Sequence, residues 1–150
     1  MRWIEAEIQR YQKRIDRITE DPDPTKLKAT KLLYELERDY RIAQLEAWRS
    51  GKPPLANGDH LPCVTQSLGF VNLDLVGAAD RTRLATNFFD ILRATGFPDD
   101  ACDRTIVCIA MCINGDFPPP NFAIATPYAC EMELTSFKAI AEHFKVPVFH

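Results

Sequence analysis

The chain has 150 residues, 46% of them hydrophobic and 26% charged, with a net charge of −3 and a pI near 5.6. That length allows about one domain with a sizeable core. The acidic balance speaks against nucleic acid and anionic membranes as partners, because phosphate binding needs a basic surface, and the basic residues of the N-terminal region alternate with acids.

The start, MRWIEAEIQRYQKR, is charged and periodic, unlike a targeting leader. The longest nearly apolar stretch, Ile106 to Ile113, is far shorter than the ~18–20 residues of a membrane span. A cytoplasmic location is expected. Five cysteines without a short-spaced framework argue against a disulfide-stapled secreted domain, which leaves core packing, metal ligation or nucleophilic chemistry for them.

Ile4, Ile8, Tyr11, Ile15 and Ile18 recur at helical spacing and predict a helix over residues 2–19. Pro22 and Pro24 in the segment DPDPT break it. A second helix carries Leu27, Leu32, Leu33, Leu36, Tyr40, Ala43, Leu45 and Trp48 as its apolar set and ends near Ser50-Gly51. Residues 1–51 are therefore expected to form a helical hairpin that packs against the following domain or a partner subunit.

From residue 52 the pattern changes. Strands are expected at 54–56, 70–76, 122–126 and 146–149, with a polar turn at 57–60. Helices are expected over 62–68, over 80–95 with Asp80 as its cap, from Asp99-Asp100 to Ile113, and over 131–144. This alternation predicts an α/β fold class: a helical hairpin followed by a mostly parallel, Rossmann-like sheet with helices on both faces. Such sheets bind ligands at the carboxyl ends of their strands. No glycine-rich phosphate-binding pattern is present.

Cys130 follows a predicted strand and immediately precedes a helix, at the carboxyl edge of the sheet. Cys102 lies in the first turn expected after Pro98-Asp99-Asp100. The field at a helix N-terminus favours the thiolate that a metal or an electrophile requires, so these two are the candidate site residues. Cys108 and Cys112, four apart among Ile and Met, read as core. Cys63 is open. His60 falls in the loop after the first strand and is a candidate to line the site; a solvated or capping role is the alternative. His143 is expected on the polar side of the last helix.

The string GFPDDACDRTIVCIAMCINGDFPPPNFAIATPYACEMELTSFKAIAEHFKVPVF resembles the N-terminal domain of the 2-hydroxyacyl-CoA dehydratase and benzoyl-CoA reductase family, of the 2-hydroxyglutaryl-CoA dehydratase D-component type. In that family a cysteine opens a helix, and a proline-containing loop leads into a buried strand. A second cysteine, usually followed by Asp, then precedes a helix and a strand like VPVF. Cys102 matches the first cysteine and Cys130 the second; Cys130 is followed here by Glu131, which keeps the charge. GDHLPCVTQSLGF resembles the short helix after the family's first strand. The resemblance covers roughly residues 52 to 150.

The resemblance implies a 4Fe–4S cluster held by three cysteines, two of them Cys102 and Cys130, with the third expected after residue 150 in a further domain. It implies an ATP-dependent iron–sulfur activator protein that delivers one electron, a homologous second subunit, and a CoA-thioester substrate. The reaction is then a lyase step, dehydration of a 2-hydroxyacyl-CoA through a ketyl radical, or an oxidoreductase step, reduction of an aromatic acyl-CoA. It belongs to anaerobic metabolism and needs a larger chain or complex. A related type carries a double-cubane iron–sulfur cluster. Two other readings stand beside these: a non-catalytic interaction or scaffold domain of the same fold without a cluster, and a thiol enzyme using Cys130 as nucleophile.

Overall fold

The computed structural model describes residues 2–22, 25, 29–57, 62–73, 75–82, 86–98, 100–125 and 130–149. Helix α1 (Arg2–Glu20) buries Trp3, Ile4, Glu7, Tyr11 and Ile15; of the expected stripe Ile4, Tyr11 and Ile15 are buried, whereas Ile8 and Ile18 are half-buried. It lies against α2 (Ala29–Arg49), forming the expected hairpin.

The apolar set assigned to α2 is corrected in its first half. Leu32, Leu33 and Leu36 are 56%, 55% and 60% exposed, and Tyr40 is exposed as well. The buried residues are Arg41, Gln44, Leu45 and Trp48. The reason is position along the helix. The first half runs beside α1, with Tyr34 against Tyr11 and Arg38 donating to Gln12. The second half reaches the sheet, where the Gln44 amide donates to the Asn72 carbonyl.

The sheet has four short parallel strands, β1 (Pro54–Asn57), β2 (Val71–Leu73), β3 (Phe122–Ile124) and β4 (Val148–Phe149), in the order β2-β1-β3-β4. Leu55 pairs with Asn72 on one side and Phe122 on the other, and Ala123 pairs with Val148. Helices α3 (Pro62–Ser67), α4 (Leu75–Arg81), α5 (Thr86–Thr95), α6 (Asp103–Ile113) and α7 (Glu131–Phe144) fill the connections. The molecule is thus helix-rich with a small parallel sheet.

Two further expectations are corrected. The strand expected over 70–76 stops at Leu73, and α4 takes over at Leu75. Leu75, Ala78 and Ala79 are buried at a spacing of three and one, a helical stripe that overrides the apparent alternation. The single helix expected over 80–95 is two helices. Asp80, expected to cap it, lies near the end of α4, and its carboxylate accepts from Arg104 at 2.8 Å.

Helix α6 is the centre of the packing. Every residue from Thr105 to Cys112 is buried, and the helix touches α4, α5 and α7; an element apolar on all sides belongs inside a domain. It ends in a reciprocal pair of bonds: the Gly115 amide donates to the Cys112 carbonyl, and the Asp116 amide to Met111. Gly115 supplies the positive φ of 75° that this closure needs. Helix α7 closes the same way, through Lys145 to Glu142 and Val146 to Ala141, but with Lys145 at φ 54° in the left-handed position.

Candidate functional site

Because all four strands are parallel, their carboxyl ends share one edge. The chain leaves β1 for β2 on one side and β3 lies on the other, which makes β1/β3 the point where the strand order reverses. Ligand sites of open parallel sheets form outside the carboxyl ends at such a point. Cys130 follows β3 on that side, and Val76 in the first turn of α4 follows β2.

Cys130 is the N-cap of α7, in an extended conformation. Cys102 is the N-cap of α6, also extended, one position earlier than the first-turn placement expected from Asp99-Asp100. The helix begins at Asp103, after the extended Cys102. Neither cysteine side chain caps its helix. Both residues are exposed free thiols. A thiol is a poor replacement for the Ser, Thr, Asp or Asn oxygen that normally accepts the first-turn amides.

The two thiols line one cavity of about 110 Å3. α6 and α7 pack against each other, so their N-terminal ends open into the same space. Val76 and Phe137 contribute apolar wall, and Arg104, Thr105 and Glu133 polar wall. Arg104 is already engaged: its guanidinium grips the Asp80 carboxylate through both Nε and Nη2 at 2.8 Å. The buried Thr105 hydroxyl lies 3.2 Å from the Cys102 sulfur.

Cys108 also borders the cavity, a placement that its apolar neighbours in sequence conceal. It is buried, and its thiol donates to the Leu75 carbonyl at 3.3 Å. Burial, reinforced by Cys112, pushes its ionisation far above the ordinary thiol range. Burial alone pushes Cys112 up to about 12. Both remain protonated at neutral pH and act as small apolar residues, as their sequence setting suggests. Thr105 and Glu133 were not singled out by sequence. Each stands three residues after a candidate cysteine, the spacing that brings side chains together on one helical face.

His60 and the Cys63 side chain lie outside the described residues. His143 is exposed, as expected, with its ring edge-on to Phe144. It borders a second crevice of about 600 Å3, walled by Ile91, Phe97, Ile109 and Ile113. No cysteine is among its described lining residues, whereas both candidate thiols border the smaller cavity. Among the described residues, no three His, Cys, Asp or Glu side chains gather closely enough to hold a metal ion. Among the same residues, no helix is long and apolar enough to cross a membrane.

Fold and site together define a helix-rich protein with a small parallel sheet and a cavity bordered by two cysteines at helix N-cap positions, neither of whose side chains caps its helix. No family model matches the chain, and neither a curated protein nor a solved structure matches it.

Proposed function

We propose that this chain is the iron–sulfur part of an ATP-activated radical enzyme acting on a CoA thioester, with Cys102 and Cys130 as two ligands of a 4Fe–4S cluster. The observation that carries this reading is the convergence of these two exposed N-cap thiols, 28 positions apart in sequence, on one cavity. The donor set suits two of the three ligands: soft sulfur donors favour iron–sulfur binding, and no capping bond ties them to their own helices. The third ligand comes from outside the described residues.

The chain's own contribution follows from the geometry. Two positive helix ends facing one space suit an anionic ligand set. Val76 and Phe137 keep part of the wall dry, and a dry wall lowers the local dielectric around the site. When bound, the cluster supplies a single low-potential electron to the thioester. The products are those of a 2-hydroxyacyl-CoA dehydratase or a benzoyl-CoA reductase, and the residues described favour neither.

We also read the sheet as a Rossmann-like, doubly wound one. The β2-β1-β3-β4 order sends the connections in opposite directions from β1, and right-handed crossovers then set helices on both faces. Residues 52–150 are the sheet domain, and 1–51 the hairpin packed on it.

The test is anaerobic purification of this chain, alone and with a homologous second subunit, followed by iron and sulfide analysis and an electron paramagnetic resonance spectrum. The expected result is bound iron and sulfide with a cluster signal that is lost on Cys102→Ala or Cys130→Ala. Metal-free protein in both forms overturns the reading. A second reading, a scaffold or interaction domain without a cluster, draws on the exposed Leu32, Leu33, Leu36 and Tyr40 of α2. Colourless protein whose Cys102 and Cys130 resist thiol reagents would favour it.

A further inference from the structure

Thr105 differs from four hydroxyl residues of this protein's helices that bond back to a carbonyl of their own helix; Thr65 of α3, by contrast, donates to the Asn72 side chain at 2.8 Å. Thr135 donates to the Glu131 carbonyl at 2.9 Å, Ser136 to Met132 at 2.7 Å, Thr19 to Ile15 at 2.8 Å and Thr95 to Leu92 at 2.7 Å. Each folds back on its own helix, the usual choice for a hydroxyl inside one. The Thr105 hydroxyl instead meets the Cys102 sulfur at 3.2 Å. It sits three positions into α6.

Thr105 is only 3% exposed, so water cannot easily take the place of that sulfur. A buried hydroxyl without a partner is costly, on the order of 1–3 kcal/mol. The hydrogen bond therefore constrains both ends: the hydroxyl needs the sulfur, and the sulfur is held on the Thr105 side of its N-cap residue, beside the cavity that also holds Cys130. A sulfur that carries a ligand has no proton to give. In that state the hydroxyl must be the donor, and its one proton points at the sulfur.

From this we infer that Thr105 is the positioning residue of the site: its hydroxyl fixes the side-chain rotamer of Cys102 and donates to the sulfur when that sulfur binds metal. The assignment takes its functional meaning from the cluster reading above. Its geometric content does not depend on that reading. Among the described residues, no hydroxyl is in the same role at Cys130.

The test compares wild type with Thr105→Val, which keeps the side-chain shape without the hydroxyl, Thr105→Ala as a second hydroxyl-free variant, and Thr105→Ser, which restores the hydroxyl. In metal-free protein, nuclear magnetic resonance couplings across χ1 of Cys102 are expected to report one rotamer in wild type and the Ser variant, and averaging in the Val and Ala variants. In iron-reconstituted protein, removal of iron by a chelator is expected to be roughly tenfold faster without the hydroxyl and near wild type with Ser, the scale seen when a partner of a metal ligand is removed. A Cys102 that keeps one rotamer in both hydroxyl-free variants overturns the assignment, whatever the iron content. Wild type that binds no iron yet shows the hydroxyl-dependent rotamer overturns the cluster reading and leaves Thr105 its positioning role.

Discussion

Glu7 of α1 and Arg81 of α4 form an ion pair, 3.3 Å from carboxylate oxygen to Nε, that ties the helical hairpin to the sheet domain. The same carboxylate oxygen takes Arg10 at 2.6 Å. The Arg81 guanidinium also lies over the Trp3 ring at 5.4 Å, with Arg41 at 5.3 Å from the same ring. One buried acid thus serves two cations beside a shared aromatic surface.

Removing that acid should cost far more than removing an exposed one. Glu7→Gln is expected to lower unfolding stability by about 2–3 kcal/mol, because two partly buried guanidinium groups lose their carboxylate. Glu5→Gln, which breaks the exposed pair with Arg49 at 2.9 Å, should stay within about 0.5 kcal/mol. Urea titrations of both variants decide it, and equal midpoints would show that Glu7 is no anchor.

The two halves of α2 should answer substitution differently. Trp48 is buried, with its ring edge-on to Phe117 at 6.4 Å, so Trp48→Ala is expected to cost about 3 kcal/mol or more. Leu36→Ala removes an exposed side chain and should stay within about 0.5 kcal/mol. A large loss at Leu36 in the isolated chain would mean that this face is covered in solution.

The buried thiols predict an alkaline limb of stability. Cys112 ionises near 9.0 when free and near 12 when folded, so the folded state keeps its proton where the unfolded state loses it. The stabilisation from this burial is complete below about pH 9 and falls as pH rises towards 12, by up to ~1.4 kcal/mol per pH unit. In Cys112→Ala the stability–pH curve should be shallower in that window by about this slope. Identical curves would remove the ionisation of Cys112 as a cause of alkaline unfolding.

Lys145 closes α7 at φ 54°, where glycine stands in the matching position of α6. Lys145→Gly should stabilise the protein by up to about 1 kcal/mol, a rise in Tm of roughly 2–4 °C for a chain of this size. Calorimetry reads this directly, and a fall in Tm would show that the lysine side chain contributes more than the strained backbone costs.

Much of this architecture was legible in the residues. The stripe Ile4, Tyr11, Ile15 carries its own period, so α1 emerged with its boundaries nearly right. Cys102 and Cys130 could be placed at helix starts because loop and proline signals precede them. What failed was whatever depended on neighbours distant in sequence. Val71 to Val76 alternates like a strand, but Leu75, Ala78 and Ala79 had a helical surface to bury against α6. Leu32 and Leu36 obey a helical period, yet period says only that a face exists and not what covers it. The Thr105 partnership was hidden for a different reason: a spacing of three suggests an approach, but a hydroxyl at that position can equally bond back to a carbonyl of its own helix.

The two helices that open at Cys102 and Cys130 begin without a cap. An oxygen-bearing residue in either place would secure the first turn, typically by about 1 kcal/mol, so each cysteine makes its helix start a weak point in the metal-free chain. On the cluster reading proposed above, a ligand shared by both sulfurs would bridge the two helix starts. Filling the cavity should stiffen residues 103–105 and 131–133 together, through a ligand that neither helix provides alone.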